Sequence, residues 1–217
     1  MSYLYVALGD SLSVGVGASI FSPGFVQRYQ RLATTDLGEH VYVQTFAHPG
    51  FQSLDVLLEL DNDFVKEQIK DADIITITAG GNDLIQAARK FQIDHNEQDF
   101  SLALNECMKN FGKIMNGITD LKHDCIRPYI IRLVNLYNPF PNDPLAVKWI
   151  RKFNLHIKSF LKNPVVSIAE VDKIFKDHEK EYIARDGIHP NDIGYERIAE
   201  SLHQLGYGEL ALESEEE

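Results

Sequence analysis

The sequence predicts an α/β fold, a parallel sheet held between two layers of helices, and two observations carry that prediction. Five short runs rich in β-branched and apolar residues recur along the chain, at positions 3–8, 41–46, 73–79, 129–136 and 165–168. Stretches with helical periodicity lie between them, and strands alternating with helices argue a parallel sheet in a three-layer sandwich.

The third run, Asp73-Ile74-Ile75-Thr76-Ile77-Thr78-Ala79, is β-branched and almost continuously apolar. Such a strand is covered by helices on both faces, so it is expected at the centre of the sheet. From about position 99 to 122, Phe100, Leu104, Met108, Phe111, Met115 and Ile118 recur at spacings of three and four, which makes one apolar stripe of a long helix. Asn142-Asp143-Pro144 offers a cap followed by proline at a helix start, and Ile150, Phe153, Ile157 and Leu161 continue the same period behind it. Asn191 stands where it caps a last helix, whose Ile198, Leu202 and Leu205 face inward before Gly206 stops it.

No repeat, low-complexity block or Pro/Gly-rich linker divides the 217 residues, and 44% hydrophobic content suffices for one sizeable core. One domain over positions 1–210 is expected. The acidic run Glu213, Ser214, Glu215, Glu216, Glu217 marks a frayed tail from position 211. A net charge of −11 argues against nucleic acid as a partner. It also repels anionic membranes, so a lipid substrate is expected to arrive as a monomer or at a neutral interface.

Met1-Ser2-Tyr3-Leu4-Tyr5-Val6 has neither the basic start nor the apolar segment of a secretory leader, and no apolar run reaches membrane-spanning length. A cytoplasmic protein without a stable membrane anchor is the expectation, although a mature secreted form would read the same. Cys107 and Cys125 are expected as free thiols. The oligomeric state is open.

Ligands of such folds sit beyond the carboxyl ends of the strands, and the unusual residues cluster there. The first strand runs into Gly9-Asp10-Ser11-Leu12-Ser13, where a tight turn at glycine leaves Ser11 exposed at the sheet edge. A lone serine at that point also serves as an ordinary cap. The third strand ends in Gly80-Gly81-Asn82-Asp83. Asn82 is a neutral donor able to meet a developing oxyanion, which a carboxylate would repel, or else a turn residue. Asp83 reads as structural, a cap of the helix that follows.

Near the C-terminus, Asp186-Gly187-Ile188-His189-Pro190 sets an acid three residues before a histidine. A serine hydroxyl needs a base that works near neutrality, and that base needs a carboxylate to fix its tautomer and stabilise its cation. Asp186 and His189 have the right types and spacing, as does any surface loop with a histidine at a helix start.

Gly9-Asp10-Ser11-Leu12, Gly50, Gly80-x-Asn82-Asp83 and Asp186-x-x-His189, taken in order over nearly the whole chain, resemble the four blocks of the SGNH hydrolase superfamily of GDSL-type lipases and esterases. The resemblance implies a flavodoxin-like five-stranded sheet in the order 2-1-3-4-5 and a serine hydrolase of carboxylic esters. It implies Ser11 as nucleophile, His189 as base and Asp186 as its orienting acid. The implied oxyanion hole comprises the N–H groups of Ser11 and Gly50 and the side-chain amide of Asn82. No metal and no cofactor belong to this reading; the partner is a small-molecule acyl ester.

Phe51 and Phe140 either border an acyl pocket or pack in the core. Fatty-acyl ester, thioester and sugar O-acetyl substrates stay open.

Competing readings fit less well. The α/β-hydrolase elbow needs Gly-x-Ser-x-Gly, but Ser13 stands where its second glycine belongs. An aspartate-based phosphatase needs a second aspartate where Leu12 lies. Gly15-Val16-Gly17 lacks its third glycine, since position 20 is Ile20, and no Gly-Lys-Ser/Thr phosphate loop occurs. Asp94-His95-Asn96-Glu97 holds metal-ligating types without paired spacing and reads as a solvated loop. A binding protein that kept the fold and lost turnover is the remaining alternative.

Overall fold

A computed structural model describes residues 2–213. In chain order the elements are β1 (Tyr3–Gly9), α1 (Ser11–Val14), α2 (Phe25–Leu37), β2 (Val41–Ala47), α3 (Ser53–Glu59), α4 (Asp63–Asp71), β3 (Ile74–Ile77), α5 (Gly81–Asp94) and α6 (Gln98–Leu121). There follow β4 (Ile130–Val134), α7 (Pro144–Ile157), a 3₁₀ turn (Lys158–Lys162), β5 (Val166–Ala169), α8 (Val171–Phe175), α9 (Glu179–Tyr182), α10 (Asp192–His203) and α11 (Glu209–Glu213). All five strands are parallel, in the order β2-β1-β3-β4-β5, so the β-branched third strand is central as its composition predicts.

Strand alternation divides the interior into two cores. Val6, Leu8, Ile75, Ile77, Ile131 and Leu133 face one way, onto the buried faces of α3 to α7. Tyr5, Ala7, Ile74, Ile130 and Val134 face the other, onto α2, α8 and α10. In α6 the apolar stripe behaves as its spacing predicts: Phe100, Leu104, Phe111, Met115 and Ile118 are buried and Met108 packs against them. Asp143 accepts from the N–H groups of Leu145 and Ala146 with Pro144 in the first turn, and Asn191 accepts from Ile193 and Gly194, so both predicted caps form.

Four local expectations need correction. Leu161 does not continue the α7 stripe, because the helix gives way to the 3₁₀ turn and Leu161 stands in water. The last long helix stops at His203 with Gln204 as its cap, short of Leu205 and Gly206. Helix α11 occupies the start of the stretch expected to be a tail from 211, and 214–217 lie outside the described residues. Ser11 is buried at 8% exposure: β1 is an internal strand, and the His189 ring from a loop far along the chain lies against its hydroxyl. Cys107 and Cys125 are free.

Register positions the site. Gly9 pairs with Ala47 of β2 and Leu8 with Ile77 of β3, so the three strands end level. The turns bearing Ser11, Gly50 and Asn82 therefore leave the same end of the sheet. Gly80, at φ +100, makes the β3–α5 turn with no room for a side chain: a Cβ there would fall 2.2 Å from the Phe153 ring. Gly80→Ala combines positive φ with overpacking and should lower stability by about 2–5 kcal/mol. Urea unfolding checks it, and an unchanged midpoint would contradict it.

Candidate active site

Ser11 opens α1 directly behind β1, with Asp10 as the N-cap. Asp10 is buried; its Oδ1 accepts from Leu12 N at 3.0 Å and from Thr78 Oγ1 at 2.9 Å. Thr78 Oγ1 also accepts from Asp10 N and lies 2.9 Å from Ser13 Oγ. These bonds stitch the turn around Ser11 to the end of β3. Burial pushes the Asp10 carboxyl up, and the bonds from Leu12 and Thr78 and the nearby His189 offset only part of that.

His189 reaches this turn from the loop between α9 and α10. Its Nε2 lies 2.9 Å from Ser11 Oγ and its Nδ1 lies 2.6 Å from Asp186 Oδ2. The other oxygen of Asp186 accepts from the backbone N–H groups of Ile188 and His189, both at 2.9 Å, so the carboxylate is fixed before it orients the ring. Burial pushes the Asp186 carboxyl up, but the bonds from Ile188 and His189 outweigh it and hold the group below its ordinary value. The loop itself is braced: Tyr137 donates to Ile188 O at 2.7 Å and Ala184 N to His189 O at 2.7 Å.

Gly50 sits beyond β2 at φ +90, a backbone conformation that favours glycine, and a Cβ there would meet nothing within 4 Å. Asn82 lies in the first turn of α5, where one amide hydrogen of Nδ2 is donated to Phe51 O at 2.8 Å. That bond uses one of the two hydrogens of the NH₂ group. Asp83 does not cap its own helix. It crosses to the Gly50 loop, accepting from Ser53 N at 2.9 Å and Ser53 Oγ at 2.6 Å, while Asn110 donates to Ser53 Oγ at 3.0 Å. Asn82 and Asp83 together therefore join the second and third blocks. Burial raises the Asp83 carboxyl against the bonds from Ser53.

The structure thus joins Ser11, His189 and Asp186 in one hydrogen-bonded chain and brings Gly50 and Asn82 to the same end of the sheet. Phe51 is half-buried against the core, with its ring 4.7 Å from that of His48, whereas Phe140 is 47% exposed. Glu97, one of the metal-ligating types read as a loop, is engaged by Lys148 and by Trp149 Nε1. Thr78 and Tyr137 escape sequence reading: each reveals its role only through a partner far along the chain.

A family model described as the GDSL-like Lipase/Acylhydrolase family matches residues 7–197. The chain belongs to this family. The GDSL-like match runs from β1 through the His189 block into α10, and membership makes the protein an enzyme of the ester-hydrolase class. This GDSL-like chain is similar to the spore germination lipase LipC of Bacillus licheniformis, with 44% identity over 210 residues that cover 97% of this chain and 99% of that one. It is similar also to the crystal structure of the lipase Lip_vut3 from a goat rumen metagenome, at a TM-score of 0.92 and 44% identity, covering 96% and 99% of the two chains. The family 3 carbohydrate esterase of Clostridium thermocellum shares the fold at a TM-score of 0.70 and 18% identity, over 99% of this chain and 100% of that one.

The lowered Asp186 carboxyl has a sign that can be measured. The folded state holds that proton less tightly than the unfolded chain, so the stability it contributes is present above the ordinary value of 3.8 and is lost as pH falls through the lowered one. Urea midpoints of the parent chain and Asp186→Asn, followed from about pH 7 to pH 2.5, should converge in acid. A gap that widens in acid would contradict this.

Proposed function

We propose that the protein hydrolyses carboxylic esters through an acyl-enzyme on Ser11. The observation that carries the reading is the unbroken chain Ser11 Oγ, His189 Nε2, His189 Nδ1, Asp186 Oδ2, with links of 2.9 and 2.6 Å. As Ser11 Oγ attacks the ester carbonyl, His189 Nε2 takes the hydroxyl proton and Asp186 stabilises the imidazolium. The carbonyl π pair moves onto oxygen, and the resulting oxyanion faces the N–H groups of Ser11 and Gly50 and the free amide hydrogen of Asn82.

Collapse expels the alcohol, which receives the proton from His189, and leaves the acyl group on Ser11. Water then attacks with His189 again as base, releasing the acid and restoring the serine. Asn82 suits the oxyanion role because its bond to Phe51 O fixes the amide plane in advance while sparing one hydrogen.

The lipase names of the two relatives at 44% identity favour a fatty-acyl ester over a thioester or sugar acetate. Phe140, too exposed to be core, and Phe51, next to Gly50, are the proposed borders of the acyl site. The test is a panel of nitrophenyl esters of increasing acyl length. Ser11→Ala should abolish turnover, Asn82→Ala should lower kcat by about 10²–10³-fold, and Phe140→Ala should shift the preferred chain length. Full turnover by Ser11→Ala would sink the mechanism, and an unchanged length profile would remove Phe140 from the acyl site.

A further inference from the structure

The loop joining α1 to α2, residues 15–24, lies within a run that holds no charged residue between Asp10 and Arg28, in a chain of net charge −11. At its tip Ile20 and Phe21 are 92% and 99% exposed. The loop is braced along its length. Gly15 and Gly24 close its neck, so near that a Cβ on Gly24 would fall 2.7 Å from Gly15 Cα. Arg28 donates to Pro23 O at 3.0 Å and to Ser22 Oγ at 2.9 Å. Ser19 donates through N and Oγ to Asp192 at 2.9 and 2.5 Å, and Tyr195 donates to Val16 O at 2.6 Å.

This bracing sets the tip beside the candidate active site. A Cβ on Gly17 would lie 2.8 Å from the Cβ of His189, and Asp192, which holds Ser19, is three residues beyond that histidine. Val14 at the end of α1 and Ile193 in the first turn of α10, both 41% exposed, add apolar surface on the two elements that flank the loop. Single exposed apolar residues need no explanation. An adjacent pair standing almost wholly in water, on an uncharged and well-anchored loop packed on His189, does.

We propose that Ile20 and Phe21 form the contact by which the protein docks on a lipid surface with neutral headgroups, the two side chains entering the headgroup boundary next to the site. A lipid surface is favoured over a second copy because two side chains cover far less than the area a stable dimer buries. Net charge opposes approach to an anionic surface and to another acidic copy alike. Only the purpose of docking, supply of acyl esters, rests on the hydrolase reading; the contact itself requires no turnover.

The test sediments the full chain carrying Ser11→Ala, so that no lipid is cleaved, with phosphatidylcholine or phosphatidylglycerol vesicles, with and without Ile20→Ser and Phe21→Ser together. Phosphatidylcholine should capture the chain and phosphatidylglycerol should capture less. The double substitution should weaken capture by about tenfold or more, given the apolar area of the two side chains. With Ser11 intact, the double variant should turn over nitrophenyl acetate in solution as the parent does, with the same molar mass by light scattering.

Absence of capture by phosphatidylcholine, capture indifferent to the double substitution, or loss of nitrophenyl acetate turnover would overturn the proposal. So would a fall in molar mass, which would assign the tip to a second copy. Turnover of nitrophenyl acetate by Ser11→Ala would sink the serine mechanism and leave the vesicle result standing.

Discussion

The 2.9 Å contact between His189 Nε2 and Ser11 Oγ joins residues 178 positions apart, and the candidate active site is organised around it. An imidazole can serve a hydroxyl only if both are held to a few tenths of an ångström, and neither α1, with four residues, nor the loop before α10 is rigid alone. Each is fixed from outside. Thr78 and Asp10 lock the serine turn to β3, while Tyr137, the Ile183–Pro190 bridge and the Asn191 side chain lock the histidine loop. Tyr195 of α10 then reaches Val16 beyond α1, so the two halves brace each other directly.

This arrangement places charge where the fold would otherwise keep apolar groups. Asp10 and Asp83 are buried with no salt-bridge partner among the described residues, and burial raises both carboxyls. The folded state holds their protons more tightly than the unfolded chain does. What they contribute to stability is therefore full in acid, below their unfolded values, and is lost as pH rises through the raised ones. Asp186 has the opposite sign, because backbone and imidazole hydrogen bonds favour its ionised form. Structural carboxylates behind the site thus disfavour ionisation, and the one that faces the histidine favours it, which is the division expected when stability yields to function.

Much of this was legible in sequence. Five strands, the central position of the third, the long amphipathic α6 and the caps Asp143 and Asn191 follow from period and local chemistry alone. The four blocks singled out Ser11, Gly50, Asn82 and Asp186-x-x-His189 because each is a short local pattern, the first three beyond strands and the last in the loop between α9 and α10. What escaped is what depends on partners distant in the chain. Leu161 kept the helical period yet left the helix, and Asp83 had the type and place of a cap yet crossed to Ser53. Ser11 followed a tight turn, as read, but it is buried, with the distant His189 ring against it. Thr78 and Tyr137, just beyond β3 and β4, gave no local signal, since the partners of their hydroxyls, Asp10 and Ile188, are far along the chain.

The central claim is that the distant imidazole activates the serine. The most direct measurement is labelling by a fluorophosphonate, with the modified residue located by mass spectrometry. A single adduct on Ser11, lost or slowed by orders of magnitude in a folded His189→Ala variant, is the predicted result; an adduct elsewhere, or labelling of Ser11 at full rate without His189, would contradict it.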